Sequence, residues 1–456
     1  METPHYHDND KCPFRESVLD TVGIGFGPSN IALAVAHEES GNASSLAFFE
    51  ASPGPAWQPG MRIDGADIQH NPLRDFVTPR NPCSPYGYLS YLKAHDRLFH
   101  FLNLDSLFPP RSDYEEYVRW VASAFAEKVF YAEPVVAVLL SDDSDPTGRR
   151  LVRVDTPVRS VRARSLSFAP GRSRHIPRVF ESHLGDHVLH FADYAVWRGD
   201  WERRDAPASI AVIGASQSAV EILLDLRSHF PGTTLHSVFR SFSFVRKDTS
   251  PFTEDLLFPS FTDYFYEASP ASKQRLTRQV VRSNYGSVDH DVLARLYFVL
   301  YDNEVRGDAS LVVHNNTEVV DAALEEDGVR LCLDDVHTGR AEQLRVGAVI
   351  LATGFRNTGT SENEEPFHPL LADVVDHYER GVNGALQVTR SYQLVPRNHD
   401  RRLPPIFLNG LCESSHGLGD AGSFSLLSYR SHEIERALAA CLAASSPSNM
   451  AIGADR

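Results

Sequence analysis

Two glycine-bearing turns have the residue types and spacing for chemistry, and both suit the binding of a pyrophosphate. The first, Gly25-Phe26-Gly27-Pro28-Ser29-Asn30, follows the apolar run LDTVGI and leads into IALAVAHEES. Read as G-x-G-x-x-N, it offers one glycine for a tight turn and a second for close approach of backbone to phosphate. The phosphates then sit at a helix N-terminus, whose free N–H groups and dipole favour an anion. Glu50 ends the next apolar run, LAFFE, 25 residues after Gly25, where an acceptor for a ribose hydroxyl belongs. The second turn lies in SIAVIGASQSAVEILLDL, with Gly214, Ser216 and Ala219 at the three key positions and Ser in place of the middle Gly. The next strand, TLHSVFR, ends in Arg240 and carries no acid there. An acid at that point selects NAD through the 2′-hydroxyl, whereas an Arg accommodates the 2′-phosphate of NADP. Alone, a glycine pattern often marks only a turn, and Arg240 also reads as a solvated surface charge. Strand, glycines, helix, strand and terminal residue in order are a far more specific signal.

Two dinucleotide sites in one chain imply one cofactor held permanently and another that visits to deliver hydride. The five cysteines, Cys12, Cys83, Cys332, Cys412 and Cys441, are widely spaced with no C-x-x-C, so no dithiol redox centre, disulfide framework or structural zinc site is expected. No H-E-x-x-H or comparable ligand spacing appears, so no metal is expected either. Monooxygenation is then the main use left for such a cofactor pair.

Positioning these turns requires an α/β fold with two Rossmann-like dinucleotide-binding domains and a small helical substrate segment. Residues 18–195 and 340–440 are expected to form a discontinuous FAD-binding domain. Residues 196–339 form the NADPH-binding domain, which includes a substrate segment at 250–305 rich in helical spacing and aromatics. Residues 1–17 and 441–456 read as flexible tails. The 456-residue chain is 42% hydrophobic and 23% charged, the composition of packed domains. Its formal charge of −16 repels phosphate backbones, so nucleic acid is an unexpected partner. No stretch approaches the roughly 18 apolar residues of a membrane span and residues 1–17 lack an apolar core, so a cytoplasmic location away from membranes is expected.

With these turns go further blocks: WQPGM at 57–61, DIQ at 67–69, LRDFVTPRNPCSPYGYLSYL at 73–92 and PPRSDYEEYVRW at 109–120. SPF at 250–252, FTDYFY at 261–266, SNYGSVD at 283–289, LATGF at 351–355 and HGLGD at 416–420 follow. From about Asp20 to about Leu438 the chain resembles the flavin-dependent N-hydroxylating monooxygenases that act on the side-chain amines of ornithine and lysine in siderophore biosynthesis. The Baeyer-Villiger monooxygenases share the two-dinucleotide plan, but their F-x-G-x-x-x-H fingerprint is broken by an extra residue between Phe168 and His175. The resemblance implies FAD and NADPH as cofactors and O2 and an amino acid as substrates. A C4a-hydroperoxyflavin then gives its distal oxygen to a neutral amine, and retained NADP+ excludes water. It also implies a homo-oligomer, dimer or tetramer. Carried over residue by residue, Gln69 lies against the flavin, and Trp57 and Met61 shape the cofactor cleft. Gln217, Ser218 and Arg240 take the NADP side. Asn284 binds the retained nucleotide and the substrate's amino-acid end, and Asp420 lies in the stretch that closes over flavin and substrate.

The match breaks at the substrate. Ornithine enzymes of this family usually read Ser-Phe-Leu-Lys-Asp-Leu after Ile-Gln, their Lys holding the α-carboxylate; here His70-Asn71-Pro72-Leu73-Arg74-Asp75 follows Gln69. Where they usually carry Val-Asn-Glu after Ser-Pro-Phe, this chain has Thr253-Glu254-Asp255. A longer, bidentate Arg74 with His70 and Asn71 suits a shorter substrate with deeper carboxylates, so aspartate, oxidised to N-hydroxyaspartate and on to nitrosuccinate in natural-product biosynthesis, is the leading expectation. Glu254 opposes it if it faces a second carboxylate, unless it pairs with Arg74 or Lys247. Side-chain hydroxylation of ornithine or lysine is the alternative. An NADPH oxidase or redox sensor is the reading from another class.

Overall fold

The apolar run Leu19–Ile24 forms strand β1, which lies between parallel neighbours with all but one of its residues buried. This is a computed structural model, and it describes residues 18–104, 106, 108–361, 363–381, 384–420 and 423–444; the expected tail 1–17, with Cys12, and residues 445–456 lie outside them. Strands β2 (Leu46–Phe49), β3 (Val129–Phe130), β4 (Ala137–Ser144), β5 (Arg150–Asp155) and β6 (Ser160–Phe168) complete the path β3-β2-β1-β6-β5-β4. The buried apolar runs of β1 and β2 suit parallel strands covered on both faces, whereas the antiparallel β4-β5-β6 meander carries alternating exposed residues. Helix α1 (Pro28–Glu39) covers this sheet, beside an aromatic core with α2 (Tyr88–Ala94), α3 (Leu98–Leu102) and α4 (Arg111–Ser123).

A second sheet is wholly parallel, in the order β10-β9-β8-β14-β7. Its strands are β7 (Val188–His190), β8 (Ser209–Ile213), β9 (Thr234–Val238), β10 (Leu311–His314) and β14 (Ala348–Leu351). Helices α5 (Tyr194–Arg203) and α6 (Gln217–His229) pack within the same unit. The antiparallel β11 (Thr317–Glu325), β12 (Gly328–Asp335) and β13 (Ala341–Val346) share a core with it. Between β9 and β10 the chain forms α7 (Pro251–Glu254), α8 (Pro259–Glu267), α9 (Pro270–Val280) and α10 (His290–Arg306). A short pair, β15 (Asn357–Thr358) and β16 (Glu364–Glu365), precedes the return to the first sheet, where β17 (Ile406–Leu408) pairs with β6. Helices α11 (Glu413–His416) and α12 (Leu427–Ala443) follow, α12 packing along α1. The fold is α/β with two Rossmann-like units.

Two expected boundaries shift. Strands β7 and β14 fall inside segments 18–195 and 340–440, yet they pair with each other, and β14 pairs with β8, in the second sheet. All four residues of β14 are buried, and such a run suits the centre of either sheet, so only its partners reveal where it belongs. The second correction is at the C-terminus: α12 runs to Ala443 and half-buries Cys441 against the first core, so residues 441–443 are helix and not tail. Among the described residues no helix is long and apolar enough to cross a membrane.

Candidate active site

The first glycine turn is built by close backbone approach. Gly25 has φ +76°, and a Cβ there would lie 2.3 Å from the Ala169 carbonyl oxygen, so any side chain displaces backbone. Gly27 instead faces open space, with nothing within 4 Å of an added Cβ, and caps α1 with no side chain on the free N–H groups. That opening at a bare helix N-terminus fits a pyrophosphate. Pro28 starts the helix with its φ already set. Glu50 accepts hydrogen bonds from Phe26 N at 2.7 Å and Ser52 N at 2.8 Å, which places it beside the loop at the end of β2.

Asn30 takes a different place from the expected cofactor contact. It is fully buried, donates to Gly25 O at 2.7 Å and Ile24 O at 3.1 Å, and accepts from Ser167 Oγ and Asn409 Nδ2. It holds the turn from beneath. Asp420 is also spent within the protein: it accepts from Cys412 N at 2.9 Å and pairs at 3.1 Å with buried Arg430, which donates to Ser29 Oγ at 3.0 Å. The HGLGD stretch therefore buttresses the glycine loop through Arg430.

Gly214 repeats the device with φ +140° and a virtual Cβ 2.4 Å from the Ala352 carbonyl oxygen. Ser216 caps α6 without a side-chain hydrogen bond; the Gln217 amide donates to Ser287 O at 3.1 Å, which leaves the Ser218 amide for a phosphate. Arg240 is 69% exposed at the side chain and only 3.5 Å from Glu318, free enough to meet a 2′-phosphate. The residues fit two dinucleotides.

A cavity of about 1230 Å³ runs from the second turn to the segment 57–74, and the residues of the first turn lie outside its lining. It collects Trp57, Met61, Gln69, His70 and Arg74 from the segment between β2 and α2, with Met61 packed in the core of the second sheet, and Gly214, Ser216, Gln217, Ser218, Arg240, Glu254 and Asn284 from the second unit. Asn71 is exposed outside it and accepts from Leu73 N, so the substrate role expected of it finds no support here. Trp57 packs edge-on to Tyr114 and Phe424 and carries the Arg111 guanidinium 4.3 Å over its ring. His70 stacks on Phe424 at 5.3 Å, and its buried Nε2 has no hydrogen-bond partner. Burial, then the charges of Arg74, Lys247 and Arg111, push its pKa down to about 3, so the ring is neutral.

Arg74 and Glu254 form an ion pair at 2.7 Å, each 28% exposed at the side chain. Nearby, Lys247 pairs with Asp289 at 3.5 Å. Asn284 stands next to Tyr285, whose hydroxyl donates to Glu413 at 2.6 Å and accepts from Arg172 at 2.9 Å. Burial raises Glu413 to about 8. Gln69 donates to Glu221 at 3.5 Å, and burial raises Glu221 to about 7 and Asp67 to about 6. Glu221, Arg111, Tyr285 and Arg172 all line the cavity without having been singled out in sequence, and Lys247, named there only as a candidate partner of Glu254, lines it too. Glu221 had a legible signal, an acid four residues after Gln217 on a helix otherwise apolar at that turn. The others are placed by contacts distant in sequence.

The model of the family L-lysine 6-monooxygenase/L-ornithine 5-monooxygenase matches residues 17–357. The L-ornithine N(5)-monooxygenase of Pseudomonas aeruginosa is 34% identical over 429 residues, covering 92% of this chain and 94% of that protein. Among solved structures, the ornithine N-hydroxylase of Kutzneria sp. 744, with reduced FAD, NADP+ and L-ornithine, superposes with a TM-score of 0.84 at 32% identity, covering 93% and 99% of the two chains. The L-lysine 6-monooxygenase of Pseudomonas syringae gives 0.81 at 31%, covering 93% and 100%. With a glycine turn at the N-terminus of each of two helices and these matches along its length, the chain belongs to the L-lysine 6-monooxygenase/L-ornithine 5-monooxygenase family and is an N-hydroxylating monooxygenase that uses FAD and NADPH.

Proposed function

We propose that the chain hydroxylates the side-chain amine of L-ornithine or L-lysine. The observation that carries this reading is the Arg74–Glu254 pair in the cavity wall. A cation and an anion side by side match the zwitterionic end of an α-amino acid: Arg74 meets the α-carboxylate through its planar fork, and Glu254 meets the α-ammonium. Binding by that end leaves the other amine free to enter the site near Gln69. The ornithine and lysine enzymes among its relatives support the same choice. The relatives weigh against the aspartate expectation, although Glu254, paired with Arg74, meets the condition under which it does not oppose a second carboxylate.

Bound FAD activates O2 and bound NADPH supplies the two electrons, so that R–NH2, O2, NADPH and H+ become R–NHOH, NADP+ and water. The chain's own residues bind, orient and exclude water. Asn284, in the cavity wall, is available to both nucleotide and substrate. His70, neutral and stacked on Phe424, adds no charge to repel an incoming ammonium. Trp57 and Phe424, backed by buried Tyr114, form an apolar wall that limits water at the reacting nitrogen. Positioning and desolvation carry the reaction, and no side-chain nucleophile takes part.

NADPH consumption, peroxide and hydroxylamine, measured with L-ornithine, L-lysine, L-aspartate and a diamine, test the proposal. Coupled hydroxylamine with ornithine or lysine is expected. Coupling with aspartate alone overturns the substrate assignment, and peroxide with every amine makes the protein an NADPH oxidase.

A further inference from the structure

An acid that the glycine motif does not require stands in the cavity wall beside Gln69. Glu221 lies on α6, and its Oε1 accepts from Gln217 Nε2 at 2.8 Å and from Gln69 Nε2 at 3.5 Å. The Gln217 amide is oriented in turn, because its oxygen accepts from Asp289 N at 2.8 Å. Two amides thus hold one carboxyl oxygen. No hydrogen bond among the described residues reaches Oε2, and the side chain lines the cavity. Asp289, at the start of α10, interacts electrostatically with both Glu221 and Glu254.

N-hydroxylation consumes a neutral amine, yet an amino acid enters with its side-chain nitrogen protonated. For a reference pKa of about 10.4, roughly one molecule in 2,500 is neutral at pH 7. A base held within the water-poor site removes that limit. We propose that Glu221 is the catalytic base that takes the proton from the side-chain ammonium of the substrate, an assignment resting on the ornithine or lysine reading above. One N–H bond breaks, one O–H bond forms at Oε2, and the electron pair stays on nitrogen. No electron passes between the two groups. Gln69 and Gln217 keep Oε1 fixed so that Oε2 faces the amine, and the proton returns to solvent after the product leaves.

The charged and titratable groups facing Glu221 are Arg111 at the start of α4, Asp67 in the loop before Gln69, and Asp289 before α10. Burial is the largest influence and raises the carboxyl to about 7; Gln217 and Arg111 oppose it, while Asp67 and Asp289 add to it. The acid form is favoured by these surroundings, so the base form is lost as pH falls through about 7. The acid limb of kcat/KM belongs there.

The test compares the FAD-loaded enzyme with Glu221→Gln. In the variant, kcat/KM for hydroxylamine formation at pH 7 should fall about 100-fold, as for loss of a general base, and should keep rising with pH towards the pKa of the amine itself. Flavin reduction by NADPH, followed anaerobically, reads any displacement of Gln217 or Gln69, and the loss in hydroxylation should exceed the loss in reduction by about tenfold or more. A substrate analogue fluorinated beside the reacting amine, and so less basic, should restore hydroxylation to the variant. Without turnover, infrared difference spectra of the oxidised enzyme labelled at glutamate should gain a protonated-carboxyl band when substrate binds. An unchanged pH profile in the variant overturns the proposal. So does loss of activity that the weakly basic analogue does not restore, which marks a structural role. If the variant does not fold, absence of the band in the unaltered enzyme overturns it. An unaltered enzyme that hydroxylates neither ornithine nor lysine overturns the substrate reading, and this assignment with it.

Discussion

Glu254→Gln replaces a carboxylate 2.7 Å from Arg74 by a neutral amide of the same size. If Glu254 meets the α-ammonium of the substrate, the variant loses one charge-assisted hydrogen bond, worth about 1.5–3 kcal/mol when fully formed. Both side chains are 28% exposed, so solvent screens part of that. A net loss of about 1.4 kcal/mol, or tenfold, is the expected size. The loss falls on the end of the substrate remote from the reacting nitrogen and is equal in ground and transition states. KM for L-ornithine or L-lysine should therefore rise about tenfold while kcat moves little. L-Aspartate, tested as a competitive inhibitor, should bind more tightly by a similar factor, because the anion that repels its second carboxylate is gone. Steady-state hydroxylamine formation gives KM and kcat, and inhibition by aspartate gives the second comparison. A lower KM for ornithine refutes the reasoning. It would mean that Glu254 only competes with the substrate for Arg74.

Arg240→Ala should raise KM for NADPH by about tenfold or more and leave that for NADH almost unchanged, measured as flavin reduction rates, since a charged contact to the 2′-phosphate contributes about 1.5–3 kcal/mol. Gly25→Ala places a methyl 2.3 Å from a backbone carbonyl at φ +76°, so it should lower both the melting temperature and the FAD content of the purified protein. Gly27→Ala meets nothing within 4 Å and should keep the melting temperature of the apoprotein while losing FAD, which separates fold from cofactor. Burial raises Glu413 to about 8 from an ordinary value of 4.5, so the folded state holds a proton there that the unfolded chain has released. Between pH 4.5 and about 8 that difference makes stability fall as pH rises. Glu413→Gln removes this dependence, so its melting temperature relative to the unaltered enzyme should be higher at pH 8 than at pH 5. A parallel shift at both values would refute the assignment.

The glycine turns were legible because every part of the signal is local: an apolar run, two glycines and a helix within a few residues, with one terminal acid or Arg a short way on. The sheet boundaries were not. Ala348–Leu351 is an apolar run that suits either core, and it is assigned only by pairing with β7 and β8. Asn30 and Asp420 illustrate the same limit at the level of single side chains. Both were placed by motif against the cofactor, and both turn their polar atoms to protein partners, Asn30 to Ser167 and Asn409 and Asp420 to Arg430. A motif records that a residue type is needed near the loop, without saying from which side.

The substrate wall shows why reading residues one at a time misleads. Taken alone, Arg74 in place of a Lys argued for a longer reach and a shorter dicarboxylate. Taken alone, Glu254 in place of an Asn argued against any second carboxylate. The two are 180 residues apart in sequence and touch in the fold. Together they add an anion against a stronger cation fork, and the site gains a matched dipole for an amino-acid zwitterion where each change alone pointed elsewhere. Charge matching of this kind selects by the end that does not react, so the length of the substrate is set by the distance from that pair to the flavin side of the cavity, where Gln69 and Glu221 stand. A one-carbon longer substrate should then lose coupling before it loses affinity. Comparing L-lysine with L-ornithine, peroxide should rise for the poorer substrate while KM stays within about threefold, the pattern of retained binding with a misplaced nitrogen. Equal coupling with a large difference in KM would place the selection at Arg74 and Glu254 instead.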